Sequence, residues 1–318
     1  MSENEEFYGK ALLRDVIGQH MTMLGQMSNR VVVVNADLMG TCRNRTFNEM
    51  FPERTFNTGI AEANMVSFSA GLAHEGFVPY AFTMAPFMSM RACEQCRDDV
   101  AYAGLDVRLI ATYAGYSGGI SGATHWGLED CAIMGSMGGM TILEPSDPYE
   151  ACRLLEMTVD YSGPVYMRSS VEPVTVVYDN EERFQIGKAK IVKEGNDGVI
   201  ICSGVVVKYA IEAAERIYKS CGKKIRVIDM FTIKPIDENA ILDAAKTKNM
   251  IVAQDHTVAG GLGYSVASVL AKNGIGINFK ILGCADKFIP MAHASYLYHK
   301  YEYDADGLEM NMMKLLNI

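Results

Sequence analysis

The sequence predicts an α/β protein built as two three-layer α/β/α domains with mainly parallel sheets. Apolar runs of strand length, such as Val31-Val-Val-Val34 and Val199-Ile-Ile-Cys202, carry no polar alternation, which marks strands covered on both faces. Between such runs, apolar residues recur at helical spacing, as Leu13, Ile17, Met21 and Leu24 do. Alternation of the two patterns implies parallel strands joined by crossover helices. At roughly 100–200 residues per domain, 318 residues divide into two cores.

Helical spacing over 10–28 opens the chain, and Val31–Val34 is the first strand. A helix over 61–75 leads to a strand over Val78–Phe82, and a helix over Met88–Tyr102 to a strand over Val107–Thr112. A helix over Glu129–Met137 precedes the short strand Thr141–Leu143. A helix over Tyr149–Tyr161 then leads to the strand Val165–Met167. Across 171–197 charges rise, as in Glu181-Glu-Arg183, and helical spacing fades, so the domains are expected at 1–175 and 195–318 with a linker over 176–194. The second set has strands at Val199–Cys202, Ile225–Met230, Met250–Ala253 and Asn278–Ile281. Its helices are expected at Val207–Ser220, Glu238–Lys246 and Gly263–Asn273.

Composition narrows the function. A net charge of −9 argues against nucleic acid, since phosphate binding needs a basic stripe that is missing. No apolar run approaches the ~20 residues of a membrane-spanning helix. The start, Met1-Ser-Glu-Asn-Glu-Glu6, is acidic without an apolar core, so a cytoplasmic protein without a secretory signal is expected. Eight cysteines show one close pair, Cys93 and Cys96, with no second pair to complete a zinc site, so these read as ordinary thiols. Gly260-Gly-Leu-Gly263 and Gly115-Tyr-Ser-Gly-Gly119 lack the spacing of a dinucleotide turn or P-loop. Either could face an anion, and tight packing at a domain or subunit contact is the plainer reading for 260–263.

Three places are chemically unusual. Glu62 opens a helix and shares a face with Val66, Ser69, Ala70 and Ala73. A carboxylate on a packed face costs several kcal/mol unless paired or protonated, which raises its pKa; a first-turn Glu favoured by the helix dipole is the plainer reading. His125 follows a glycine-rich loop at the carboxyl side of a strand, where α/β folds bind ligands. Arg168 ends a short apolar strand; an exposed cation is the default reading there.

These residues stand in a longer pattern. Asn35-Ala-Asp-Leu38, Gly59-Ile-Ala-Glu-Ala-Asn-Met-Val66, Phe77-Val-Pro-Tyr80 with Phe87, Gly122-Ala-Thr-His125 and Leu128-Glu-Asp130 resemble the pyrimidine-binding half of transketolase. Gln254-Asp-His-Thr257 with Gly260-Gly-Leu-Gly263 resembles that enzyme's C-terminal domain. The family's diphosphate and metal motif, Gly-Asp-Gly followed after some residues by Asn, is missing. Asn196-Asp-Gly198 is the nearest approach, and the next asparagine is Asn239. The chain therefore resembles the C-terminal subunit of a split transketolase.

The resemblance implies thiamine diphosphate with Mg²⁺, the metal and diphosphate held mainly by an N-terminal partner subunit carrying Gly-Asp-Gly…Asn. It also implies self-association into an α2β2 assembly and sugar phosphate substrates. Glu62 would hydrogen-bond the aminopyrimidine and favour the tautomer that deprotonates the thiazolium carbon. Phe87 would stack on the pyrimidine, and Asp37 would lie near the cofactor. His125 would contact donor oxygens and shuttle a proton. Arg168 would grip the sugar's terminal phosphate, with Arg14 and Thr41 as further phosphate contacts. Ser121 stands where the family usually has an aspartate that recognises a substrate hydroxyl, which permits a less common sugar. Tyr113, Tyr116 and Trp126 would reshape the pocket.

The leading expectation is ketol transfer from a ketose phosphate to an aldose. The beta subunit of a 2-oxo acid dehydrogenase shares this layout, and a non-catalytic scaffold is the third reading.

Overall fold

The computed structural model describes residues 12–318; the acidic start and the first residues of the expected opening helix lie outside them. The first sheet has seven strands in the order β10-β5-β6-β4-β3-β1-β2. Its strands are β1 (Val31–Asn35), β2 (Thr55–Asn57), β3 (Val78–Met84), β4 (Arg108–Thr112), β5 (Thr141–Leu143), β6 (Val165–Ser169) and β10 (Thr232–Lys234). All pairings are parallel except β10 with β5. The second sheet runs β12-β11-β8-β9-β7, from β7 (Lys190–Lys193), β8 (Gly198–Cys202), β9 (Ile225–Asp229), β11 (Asn249–Thr257) and β12 (Asn278–Cys284). It is parallel apart from β7. The α/β class and mainly parallel sheets are as expected.

The central strands are buried throughout because their residues are apolar on both faces. Helix Leu13–Met27 packs Leu13, Val16, Ile17, Met21 and Leu24 inward. Its Gly18 lies so close to the following loop that a Cβ would stand 2.3 Å from the Cys42 carbonyl oxygen. Helix Pro148–Thr158 starts on Asp147, which accepts from the backbone N–H of Tyr149 and Glu150, with proline in the first turn, where its missing N–H costs nothing.

Two strands depart from the simple division. Lys190–Lys193, inside the expected linker, is an edge strand of the second sheet, paired antiparallel with β9. Strand β10, far along the second set, crosses over to edge the first sheet. The two halves thus exchange hydrogen bonds, and one apolar cluster runs through both, joining Val34, Ala81 and Leu109 to Ile201, Met230 and Val252.

The polar part of this junction centres on Arg168, and here the structure corrects the sequence reading. Arg168 is 0% exposed and does not project toward a ligand. Its Nε and Nη2 donate to the Asp130 carboxylate at 2.8 and 3.0 Å, and Nη1 donates to Glu144 at 2.6 Å. Nη2 also reaches the carbonyls of Gly127 and Asp255, each at 3.1 Å. Glu144 in turn accepts from Ser203 and Gln254, each at 2.7 Å. A guanidinium so enclosed, with no surface exposed, is out of reach of a sugar phosphate. Lengthening β6 to Ser169 explains the error: Arg168 is an interior position of the strand, not its exit.

A second buried acidic group joins the halves. Ser146 donates its backbone N–H to Glu150 and its hydroxyl to Asp229, and Tyr178 donates to Asp229 at 3.0 Å. Burial pushes Asp229 up to about 7 and raises Glu150 well above the carboxylate range. The folded protein therefore holds protons that the unfolded chain releases. This contribution to stability is complete below the ordinary carboxylate pKa and is lost as pH rises through about 7. Urea unfolding measured from pH 5 to pH 8 should show stability falling, and Asp229→Asn should flatten the slope. A second expectation concerns Arg168→Met, which strands Asp130 and Glu144 as buried unpaired charges. It should cost about 3–5 kcal/mol in the same assay; a loss below 1 kcal/mol would refute the junction's role.

Candidate active site

The carboxyl ends of the first sheet's parallel strands carry nearly all the residues singled out in the sequence, as α/β folds require of ligand sites. Asp37 follows β1, Glu62 lies beyond β2, Phe87 follows β3, and the loop with Ser121 and His125 follows β4.

Glu62 is the first residue of helix Glu62–His74 and is only 3% exposed. Arg91 offsets its charge, donating Nη1 to Oε1 at 3.0 Å. The same guanidinium lies over the Phe87 ring, 3.8 Å from its centroid. Phe87 meets the His125 imidazole edge to face at 5.4 Å. Glu62, Phe87 and His125, picked out from separate motifs, therefore form one chain of contacts, and Arg91 joins it. His125 is further placed by Thr124, whose hydroxyl lies 2.8 Å from Nδ1, and by its own N–H on the Gly122 carbonyl.

The local winding behind Phe87 and Arg91 departs from the simple helix expected over Met88–Tyr102. Phe87–Arg91 and Cys96–Ala101 are π-helical turns on either side of a short α turn, with the wide i→i−5 bond from Ala92 to Phe87. Such turns are frequent at functional sites. Cys93 and Cys96 lie within this segment, and none of the eight cysteines forms a disulfide.

Asp37 stands apart from this cluster. It is exposed, has a left-handed backbone (φ 59°), and its carboxylate accepts from Asn57 at 3.2 Å. Asn57 in turn accepts from the N–H of Asp37 and of Gly59, each at 3.0 Å. Asparagine 57 thus fixes the turn that delivers Glu62. Arg14 and Thr41 are half-buried. Arg14 donates to the Tyr113 hydroxyl at 3.1 Å, and its charge acts on Cys42, the neighbour of Thr41, whose thiol burial pushes up to about 12. Ser121 is exposed, in the short turn Gly119–Ser121. Tyr113 belongs to this region, but Tyr116 and Trp126 do not line a pocket. They are 0% and 1% exposed, pack on each other at 5.0 Å, and belong to the second domain's core.

That packing shows how the second domain reaches the site. Asp255 accepts from the Tyr116 N–H at 2.9 Å and from the hydroxyls of Tyr298 and Tyr303 at 2.8 and 3.0 Å. A Cβ on Gly115 (φ +64°) would fall 2.0 Å from the Asp255 carboxyl carbon. The carboxylate thus clamps the start of the loop that carries Ser121 and His125. Asp255 and Arg91 were missed as site residues. The Gln254-Asp-His-Thr257 run marked the first, while only a spacing of four from Phe87 marked the second.

The aminopyrimidine of thiamine diphosphate fits these residues: a buried carboxylate and an aromatic face already hold one planar cationic group between them. Of the two acid and cysteine or histidine groupings among the described residues, Asp130, Cys131 and His256 surround Arg168, and His299, Asp304 and Asp306 lie in the C-terminal helices.

Comparison with known proteins agrees with this layout. The family model for the transketolase pyrimidine-binding domain matches residues 10–175, and that for the transketolase C-terminal domain matches 187–308. A Methanocaldococcus jannaschii protein named as a transketolase C-terminal section is 38% identical over 305 residues, covering 95% of each chain. A 6-deoxy-6-sulfo-D-fructose transketolase subunit from Clostridium sp. is 34% identical, covering 91% of this chain and 89% of its own. A solved split-gene transketolase, described as an inactive β4 tetramer, superposes with a TM-score of 0.87 at 34% identity, covering 97% of this chain and 99% of its own. These matches favour the transketolase reading over the dehydrogenase one. No helix among the described residues is long and apolar enough to cross a membrane.

The loop clamp has a direct consequence. Gly115→Ala should cost about 1–3 kcal/mol through its positive φ alone, more with the clash against Asp255. It should also shift the near-ultraviolet signal of Trp126, the single tryptophan; an unchanged spectrum and unfolding midpoint would count against the clamp.

Proposed function

The chain belongs to the transketolase family, and from that premise we propose that it is the pyrimidine-binding half of a two-chain transketolase. Its reaction is transfer of a two-carbon ketol unit from a ketose phosphate, or a related sugar, to an aldose. The observation that carries this reading is the convergence of Glu62, Phe87 and His125 at one sheet edge. When bound, thiamine diphosphate supplies the carbon nucleophile and electron sink of the reaction. Glu62 hydrogen-bonds the aminopyrimidine ring and relays a proton there. Phe87 supports the ring, and Asp37 lies at the neighbouring strand end. His125 exchanges a proton with donor oxygens from the other side of the phenyl ring.

The family generally uses a divalent metal with thiamine diphosphate. Its placement, with the diphosphate, on an N-terminal partner subunit carrying Gly-Asp-Gly…Asn is part of the proposal. The lack of such a motif in this chain supports it, as does the relative described as an inactive β4 tetramer. An α2β2 assembly follows, inactive without the partner. Eight cysteines without a disulfide fit a cytoplasmic, reducing setting. Arg14, hydrogen-bonded to Tyr113, takes over as the cation for the sugar's terminal anion, with Thr41 as a further contact, since Arg168 is committed elsewhere. Ser121, uncharged and exposed, relaxes selection at the hydroxyl end. A relative named for a sulfonated sugar puts sulfonate alongside phosphate among donors to assay.

Ketol transfer should be measured with the chain and its partner over a panel of phosphorylated and sulfonated ketoses. The wild-type mixture should turn over, and Glu62→Gln should lose about 10²–10⁴ in rate. Unaltered turnover in Glu62→Gln would end this reading.

A further inference from the structure

Arg91 has no role in the reading so far, yet it occupies the centre of the site. Its guanidinium gives Glu62 an N–H donor at 3.0 Å and gives Phe87 a flat cationic face at 3.8 Å. An aminopyrimidine would need both contacts: a ring-nitrogen partner on Glu62 and a π surface on Phe87. We propose that Arg91 is a placeholder for the cofactor's pyrimidine, filling its seat in the empty chain and swinging out when the cofactor enters.

Four features make this physically workable. Glu62 is buried, and a buried carboxylate without a partner is costly, so an empty site needs a substitute cation. Arginine suits the task because its planar, weakly hydrated guanidinium stacks on aromatic faces and pairs with carboxylates at once. The side chain of Arg91 is half exposed, at 51%, against 4% for Glu62, so it has solvent to move into while Glu62 stays fixed. The segment that carries it, Phe87–Arg91, is a π-turn. That winding sets residues 87 and 91 face to face and keeps the switch local to one side chain. The free energy of vacating the seat is subtracted from cofactor affinity. The device thus keeps the isolated chain stable and delays loading until the other half-site arrives.

The proposal rests on the thiamine-dependent reading, and its test separates the two. In the cofactor-free chain, Arg91→Ala should lower the thermal midpoint by roughly 3 °C or more, because Glu62 loses its partner. Adding Glu62→Gln to Arg91→Ala should restore most of it. In the assembled complex, equilibrium dialysis with labelled thiamine diphosphate should show Arg91→Ala binding about tenfold more tightly than wild type, a gain of ~1.4 kcal/mol. Arg91→Met, which keeps side-chain bulk without the charge, should behave alike. Normal wild-type binding with equal or weaker binding by both variants would overturn the placeholder and leave the cofactor reading standing. An unchanged thermal midpoint in Arg91→Ala would overturn it too. Absence of binding by every protein would overturn both.

Discussion

A guanidinium enclosed by protein must have its charge offset from within, and in this chain that constraint organises the molecule around Arg168. Its partners come from the loop before helix Asp130–Gly135, from the end of β5 and from β11, which is to say from both domains. Glu144 extends the network to Ser203 and Gln254, and Asp255, whose carbonyl Arg168 holds, uses its carboxylate to clamp the loop ahead of His125. A buried ion pair contributes little net stability against an apolar replacement, and breaking one is expensive. The network therefore acts mainly as register, fixing where the second domain sits under the site.

On the proposed reading, the site is one half of an interfacial one. One sheet edge presents a carboxylate, an aromatic face and an imidazole. Half an interfacial site has to tolerate being empty. A buried charge that waits for a ligand would normally destabilise the fold; here Arg91 covers it, and Asn57 holds the turn that delivers Glu62 whether or not the site is filled.

Much of this was legible in the residues. Strands such as Val31–Asn35 and Gly198–Cys202 declared themselves through unbroken apolar runs, and helices such as Val206–Cys221 through strong 3.6-residue periodicity. Short and edge elements did not. Thr55–Asn57, Lys190–Lys193 and Thr232–Lys234 have three or four residues each, too few for a period, and what makes them strands is pairing with distant chain. Helices Ala294–Lys300 and Ala305–Leu316 also went unread. Arg168 was misplaced for a related reason: a charged residue reads as surface unless its neutralising partners, 24 and 38 positions away, are known. Glu62, Phe87 and His125 were found because motif order carried them. Arg91 was missed because its role exists only in relation to two side chains that the fold brings to it.

The central claim is that this chain holds half of a thiamine diphosphate site. Calorimetric titration of thiamine diphosphate with Mg²⁺ tests it most directly, into the chain alone and then into the chain mixed with a partner bearing Gly-Asp-Gly…Asn. The account predicts saturable binding in the mixture and none of comparable strength in either chain by itself. Tight binding to the isolated chain, or no binding in the mixture, would contradict it.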